Sequence, residues 1–146
     1  MKHYYWEGTD TNGVQHEGAL DSETLSAARE NLLSCGFFRL RFWKIERSRL
    51  HKVLNNNEVT EFFLQLHRLL KSGVELDDAL GFAVHEQKNR VLSFLLCRMR
   101  EDLRNGISLS CALQRYRAFP KLVGKMIEVA ESSGRLPEVL EMLLDF

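Results

Sequence analysis

The sequence predicts a mainly α protein: an antiparallel six-helix bundle over residues 55–146, preceded by a small ββαβ unit and linker over residues 1–54. Three observations predict it. From Val59 onward apolar residues recur at spacings of three and four, the period of a helix with one buried face. A Gly-x-x-Leu-x-x-x-Leu element starts at Gly73 and at Gly106, and returns more loosely at Gly134. Residues 1–46 instead gather short apolar segments around an Asn-Gly turn, the pattern of strands.

Tyr4, Trp6 and Gly8 lead into Thr9-Asp10-Thr11-Asn12-Gly13, and Val14 to Leu20 resume the alternation, which is a hairpin signal. Asp21 or Ser22 is then expected to cap a helix carrying Leu25, Ala28, Leu32 and Leu33 and stopping at Gly36. Phe38, Leu40, Phe42 and Ile45 suggest a third strand. Such a unit is too small to bury much surface alone, so it is expected to lean on a neighbour. The polar segment Arg47–Asn57 reads as a linker followed by a helix cap, which places the boundary near residue 55.

Six helices are expected beyond it. The first carries Val59, Phe62, Phe63, Leu66, Leu69 and Leu70 and ends at Gly73; the second carries Leu76, Ala79, Leu80 and Ala83. A third has Val91, Phe94, Leu95, Cys97 and Leu103 before Gly106, and a fourth starts at Ser108 with Leu109, Ala112 and Leu113. Pro120 suits the first turn of a fifth, which carries Val123, Met126, Ile127 and Ala130 and ends at Gly134. Leu136, Val139, Leu140, Leu143 and Leu144 form the sixth. The expected core is Phe62, Leu66, Leu69, Leu76, Leu80, Leu95, Leu103, Leu109, Leu113, Met126, Ile127, Leu136 and Leu140. The repeated glycine element describes a helix ended by a left-handed residue, a tight turn, and a new helix that inserts Leu into the core. Spacings of 33 and 28 residues are too irregular for an open solenoid, so a closed bundle fits better.

Twenty Lys and Arg balance twenty Asp and Glu, so the chain lacks the cationic excess by which nucleic-acid binders neutralise phosphates. Cys35, Cys97 and Cys111 have no C-x-x-C or paired-His spacing for zinc and read as reduced thiols. Cys97 and Cys111 lie in apolar helical runs and are expected to be buried. No apolar run approaches the roughly 20 residues that span a bilayer, so the chain itself reads as cytosolic. Yet the helical pattern is still running at Leu143–Phe146, and a longer parent chain is expected.

No phosphate loop, His-Glu-x-x-His or Gly-x-Ser-x-Gly is present, and no catalytic, cofactor or metal residue is assigned. A small enzyme built on His67, Glu131 and a cysteine would need converging groups, and the spacing shows none. His67 and His85 read as surface or half-buried side chains. Glu75, Asp77 and Asp78 could hold calcium, but they lack EF-hand spacing and suit a helix N-terminus better. Charge is nevertheless unevenly placed. Arg39, Arg41, Lys44, Arg47, Arg49 and Lys52 face only Glu46, while Glu128, Glu131, Glu138, Glu141 and Asp145 face only Arg135. Each run reads either as a solvated face or as one pole of a scaffold whose basic side meets an acidic partner or anionic lipid headgroups.

Phe62 to Leu80, Gly106 to Leu113, Phe119-Pro120 and Val129-Ala130-Glu131-Ser132-Ser133-Gly134-Arg135-Leu136 resemble, in order and spacing, the cytoplasmic domain of the type II secretion protein F family. Tyr4-x-Trp6-x-Gly8-x-Asp10-x-x-Gly13, with Glu17-Gly18, Ala28, Leu32 and Gly36, resembles that family's N-terminal segment. The resemblance implies a non-enzymatic scaffold on the cytoplasmic side of the bacterial inner membrane, within a membrane-embedded platform protein of type II secretion or type IV pilus assembly. Its implied partners are a secretion or pilus ATPase, other inner-membrane assembly proteins and pilin-like subunits, with a homo-oligomer as a further option. Gly73, Leu76, Gly106, Leu109, Phe119, Pro120, Glu131 and Gly134 are the motif positions, and Arg39, Arg41, Lys44, Arg47 and Arg49 the candidate partner contacts. Two departures stand out: Arg115-Tyr116-Arg117-Ala118 replaces a common His-Pro pair before Phe119, and Ala130-Glu131 replaces Gly-Glu. The alternative reading is a free-standing helical adaptor binding peptides or protein partners. An apolar segment of about 20 residues soon after Phe146 would favour the platform.

Overall fold

A computed structural model describes residues 1–144 of the chain. Three antiparallel strands, β1 (Lys2–Thr9), β2 (Gln15–Ser22) and β3 (Phe38–Ile45), lie in the order β2-β1-β3. The β1–β2 turn is fixed by Asp10, whose carboxylate accepts the Asn12 and Val14 N–H groups, while Gly13 takes a φ of 79°. Trp6 pairs with Gly18 and lays its indole over it, where a Cβ would sit 2.8 Å from Nε1. Helix α1 (Leu25–Ser34) starts on Thr24, whose hydroxyl accepts the Ala27 N–H. Asp21 and Ser22 are not the caps expected: both are still paired to β1, so the chain leaves the sheet two residues later.

After a 3-10 turn at Arg47–His51 come α2 (Asn56–Lys71), α3 (Leu76–Glu86), α4 (Arg90–Arg104), α5 (Leu109–Arg115), α6 (Lys121–Ser133) and α7 (Leu136–Leu144). The protein is therefore mainly α with a small antiparallel sheet. Asparagine and serine supply the caps: Asn55 accepts the Glu58 N–H, Asn89 that of Val91, and Ser108 that of Cys111.

Gly73, Gly106 and Gly134 take φ of 93°, 86° and 69° at the ends of α2, α4 and α6. Behind Gly106 the Ile107 N–H reaches the Asp102 carbonyl at 2.9 Å and the Gly106 N–H that of Leu103 at 3.1 Å, so the last carbonyls are satisfied by a Schellman turn. Open space surrounds the position a Cβ would take. Gly106→Val therefore isolates the backbone cost, and thermal or denaturant melts should show a loss of about 1–2 kcal/mol.

One face of the sheet meets α1, with Arg29 over the Phe42 ring; Tyr5, Ala19 and Ile45 on the other face join the helical core. Helix α4 is central, packing against all three strands, α3 and α5. Phe62, Leu66, Leu80, Leu95, Leu109, Leu113, Ile127 and Leu140 are buried as expected. Leu69, Leu76, Leu103 and Leu136 are only half-buried because they sit in the first or last turns of their helices, and Met126 because it lies mid-helix at the border of the buried face of Val123, Ile127 and Ala130. Leu92, Leu96 and Met99 are fully enclosed instead. Cys97 is buried, but Cys111 is exposed: α5 is seven residues long and turns Ser110, Ala112 and Leu113 inward, which leaves Cys111 outside.

Candidate functional site

The motif positions resolve into devices that hold helix ends. Leu76 and Leu109 open α3 and α5 directly after the glycine turns, Leu109 fully buried and Leu76 at the rim. Phe119 packs against both Phe62 and Phe63, its ring centroid 6.0 and 6.2 Å from theirs, to close a three-ring cluster, and Pro120 stands at the N-cap of α6. Behind it the Ala118 carbonyl accepts the Leu54 N–H at 2.9 Å, tying the linker to the α5–α6 turn.

Glu131 closes the arrangement. A carboxylate in the last turn of α6 opposes that helix's dipole, so the residue calls for a local partner. Its Oε2 accepts the Leu109 N–H at 3.0 Å and its Oε1 the Ser110 N–H at 3.1 Å. These are orphan donors of the first turn of α5, and the Ser108 hydroxyl takes the next one, Cys111. One side chain thus caps a neighbouring helix and clasps α6 to α5. The motif shows in the sequence as an acid at an unfavourable helix position; its partners, 21 and 22 residues earlier, do not.

A separate set of charged contacts, which the sequence did not disclose, joins the sheet to the helices. Three acids of the sheet turn toward the helices: Asp21 meets Arg98 at 2.8 Å, Glu7 meets Arg90 at 3.6 Å and Glu17 meets His85 at 3.0 Å. Burial raises the Glu17 carboxyl above its ordinary range, and the neighbouring His85 and Arg100 only partly offset it. The His85 contact lies off the direction a hydrogen bond needs, and the buried Glu17 Oε2 has no hydrogen-bond partner. Burial would raise Asp21 too, but hydrogen bonds from His3 and Arg98 outweigh it and hold the carboxyl low.

Asp77, from the acidic turn, is spent on arginines: Arg104 binds it through Nε and Nη2 at 2.9 and 3.1 Å, and Arg100 at 3.2 Å. Those Arg104 bonds hold its carboxyl below the usual range. Gly81 makes room, since a Cβ there would stand 2.9 Å from the Arg100 guanidinium. Among the described residues no three His, Cys, Asp or Glu side chains gather at metal-binding spacing. His67 Nδ1 donates to the Pro137 carbonyl at 3.0 Å and links α2 to α7.

The basic stretch lies on the sheet's edge. Arg39, Arg41 and Lys44 are exposed on β3, and Arg47 and Arg49 on the 3-10 turn. Arg39 has φ 54° at a bulge where β3 slips against Gly8, a conformation that costs a non-glycine residue about 1–3 kcal/mol. Arg41 and Arg90 stack on Trp43, 4.8 and 4.5 Å from its ring centre. Lys44 comes 3.9 Å from Glu46, the one carboxylate within ion-pair reach of this stretch among the described residues. On the acidic side Glu128, Glu138 and Glu141 are exposed, and Asp145 lies outside the described residues.

Fold and site together define a mainly α module of glycine-ended helical hairpins with a sheet docked through charge. A family model for the Type II secretion system (T2SS), protein F matches residues 62–146, more than half of the chain, and the chain belongs to that family. It is 31% identical over 142 residues to a Type 4 fimbrial assembly protein PilC of Pseudomonas putida, covering 96% of this chain and 35% of that one. A Type II secretion system protein F of Xanthomonas campestris is 32% identical over 98 residues, 67% of this chain and 24% of its own length. A Type IV pilus assembly protein PilC of Thermus thermophilus is 25% identical across this whole chain, and 38% of it is covered. The chain spans about a third of the length of the curated relatives it matches. No described helix is long and apolar enough to cross a membrane.

Proposed function

We propose that this chain is the scaffold domain of an inner-membrane platform protein in type II secretion or type IV pilus assembly, working on the cytoplasmic side. In this reading residues 55–146 act as one closed antiparallel six-helix bundle, residues 1–54 are a smaller unit docked on it, and the module carries no catalysis. It relays a secretion ATPase to pilin-like subunits, with Arg39, Arg41, Lys44, Arg47 and Arg49 as contacts for acidic partner surfaces. The membrane-embedded part belongs to the longer parent, and the assembly includes further inner-membrane proteins or a second copy, not nucleic acid.

The observation that carries the reading is the Glu131 clasp: a family-motif acid is used to lock two helices rather than to poise a reaction. A relay needs such stiffness. Glu131→Gln sets an amide against two backbone donors and should cost about 1.5–3 kcal/mol of stability. In cells whose parent protein carries the change, secretion or piliation should fall with it. A variant that melts like the wild type yet stops assembly would make Glu131 a partner contact. Normal assembly despite a lowered melt would refute the need for a stiff module.

A further inference from the structure

The departure Arg115-Tyr116-Arg117 acquires a use when its surroundings are followed in space. Between the 3-10 turn and the α5–α6 turn lies an open cavity of about 280 Å³. Arg47 and His51 stand on one wall and Arg115 and Arg117 on the other, and no carboxylate lines it. The floor is apolar and aromatic: Leu50, Phe94 and Tyr116. In a chain with equal numbers of acids and bases, such a one-signed cavity is a local choice and not an overflow of charge.

Two features make it a built site. Its walls are fixed to each other by the Leu54 N–H bond to the Ala118 carbonyl, and Arg115 is held from behind by Asp102 at 3.1 Å. Arg47, Arg117 and His51 make no ion pair or side-chain hydrogen bond among the described residues, so their donors stay available at the mouth. Guanidinium forks match the oxygens of a phosphate, and Arg47 and Arg117, which face each other with no counter-charge of their own, repel until an anion joins them. The aromatic floor adds room for an uncharged body beside that anion. The volume is near the lower end for small-molecule sites, enough for one phosphate group and part of what carries it.

We propose that this cavity binds a phosphate group borne on an apolar or aromatic body, either a free phosphorylated metabolite or a phospholipid headgroup. The site stands independently of the platform reading. Two probes separate the sources: adenosine monophosphate followed by calorimetry, and vesicles of phosphatidylglycerol in phosphatidylcholine followed by co-sedimentation, both at low salt. Arg117→Glu and Arg47→Glu, exposed and on opposite walls, should each weaken binding at least about tenfold with unchanged melting, whereas Lys88→Glu, an equal charge change at another surface, should not. Nucleotide binding that follows this pattern assigns a soluble ligand, and vesicle binding that follows it assigns a headgroup. Failure to bind either probe, or equal losses from Arg117→Glu and Lys88→Glu, would overturn the site.

Discussion

Phe119→Ala is expected to lower the stability of the domain by about 3–5 kcal/mol, the range for removing a buried aromatic ring. Phe119 is 5% exposed and its ring packs against the Phe62–Phe63 pair, so truncation opens a cavity beside two close-packed rings. The backbone on either side is pinned, by Ala118 to the linker and by Pro120 to the start of α6, which limits collapse further. Chemical denaturation measures the effect. A loss under about 1 kcal/mol would mean that the α5–α6 turn can relax into the space, and that the aromatic cluster is not a fixed joint.

Leu109→Ala should cost about 2–5 kcal/mol, and it separates two roles that meet at one residue. The Leu109 side chain is 1% exposed, while its N–H is one of the two donors held by Glu131. Alanine keeps the N–H and removes only the buried carbons. If the domain is held at this point mainly by burial, Leu109→Ala exceeds Glu131→Gln; the reverse order in equilibrium melts would make the carboxylate clasp the dominant contact. The two changes share an element, so their double variant should depart from additivity.

The helix ends were legible in the sequence because their chemistry is local. Glycine at a helix terminus and asparagine or serine at a start act within four residues, and Gly73, Gly106, Asn55 and Ser108 all serve as their types suggest. Helix α4 was less legible. A single apolar stripe predicts one buried face, yet Val91 to Cys97 are buried without a break, since the helix has the sheet on one side and other helices around it. The acidic partners of its Arg98 and Arg100, Asp21 and Asp77, lie in other elements, beyond any local pattern. The Glu131 site was half legible: an ill-placed acid announces that something holds it, but which amides do so depends on how α5 and α6 pack. Cys111 was misplaced for a related reason, because a seven-residue helix among apolar neighbours gives too few turns to fix which side faces out.

The buried thiol of α4 gives the sheet-to-helix junction a built-in clock. Burial pushes the Cys97 thiol up to about 12, and Glu17 of the docked sheet adds to the shift. At neutral pH the reactive thiolate is then a fraction on the order of one in 10⁵. Cys35 and Cys111 face solvent and are open to alkylating reagents at once, while Cys97 is enclosed and reacts only when the packing around α4 opens. The slow phase of alkylation therefore times the opening of this joint in the intact chain, with no label added.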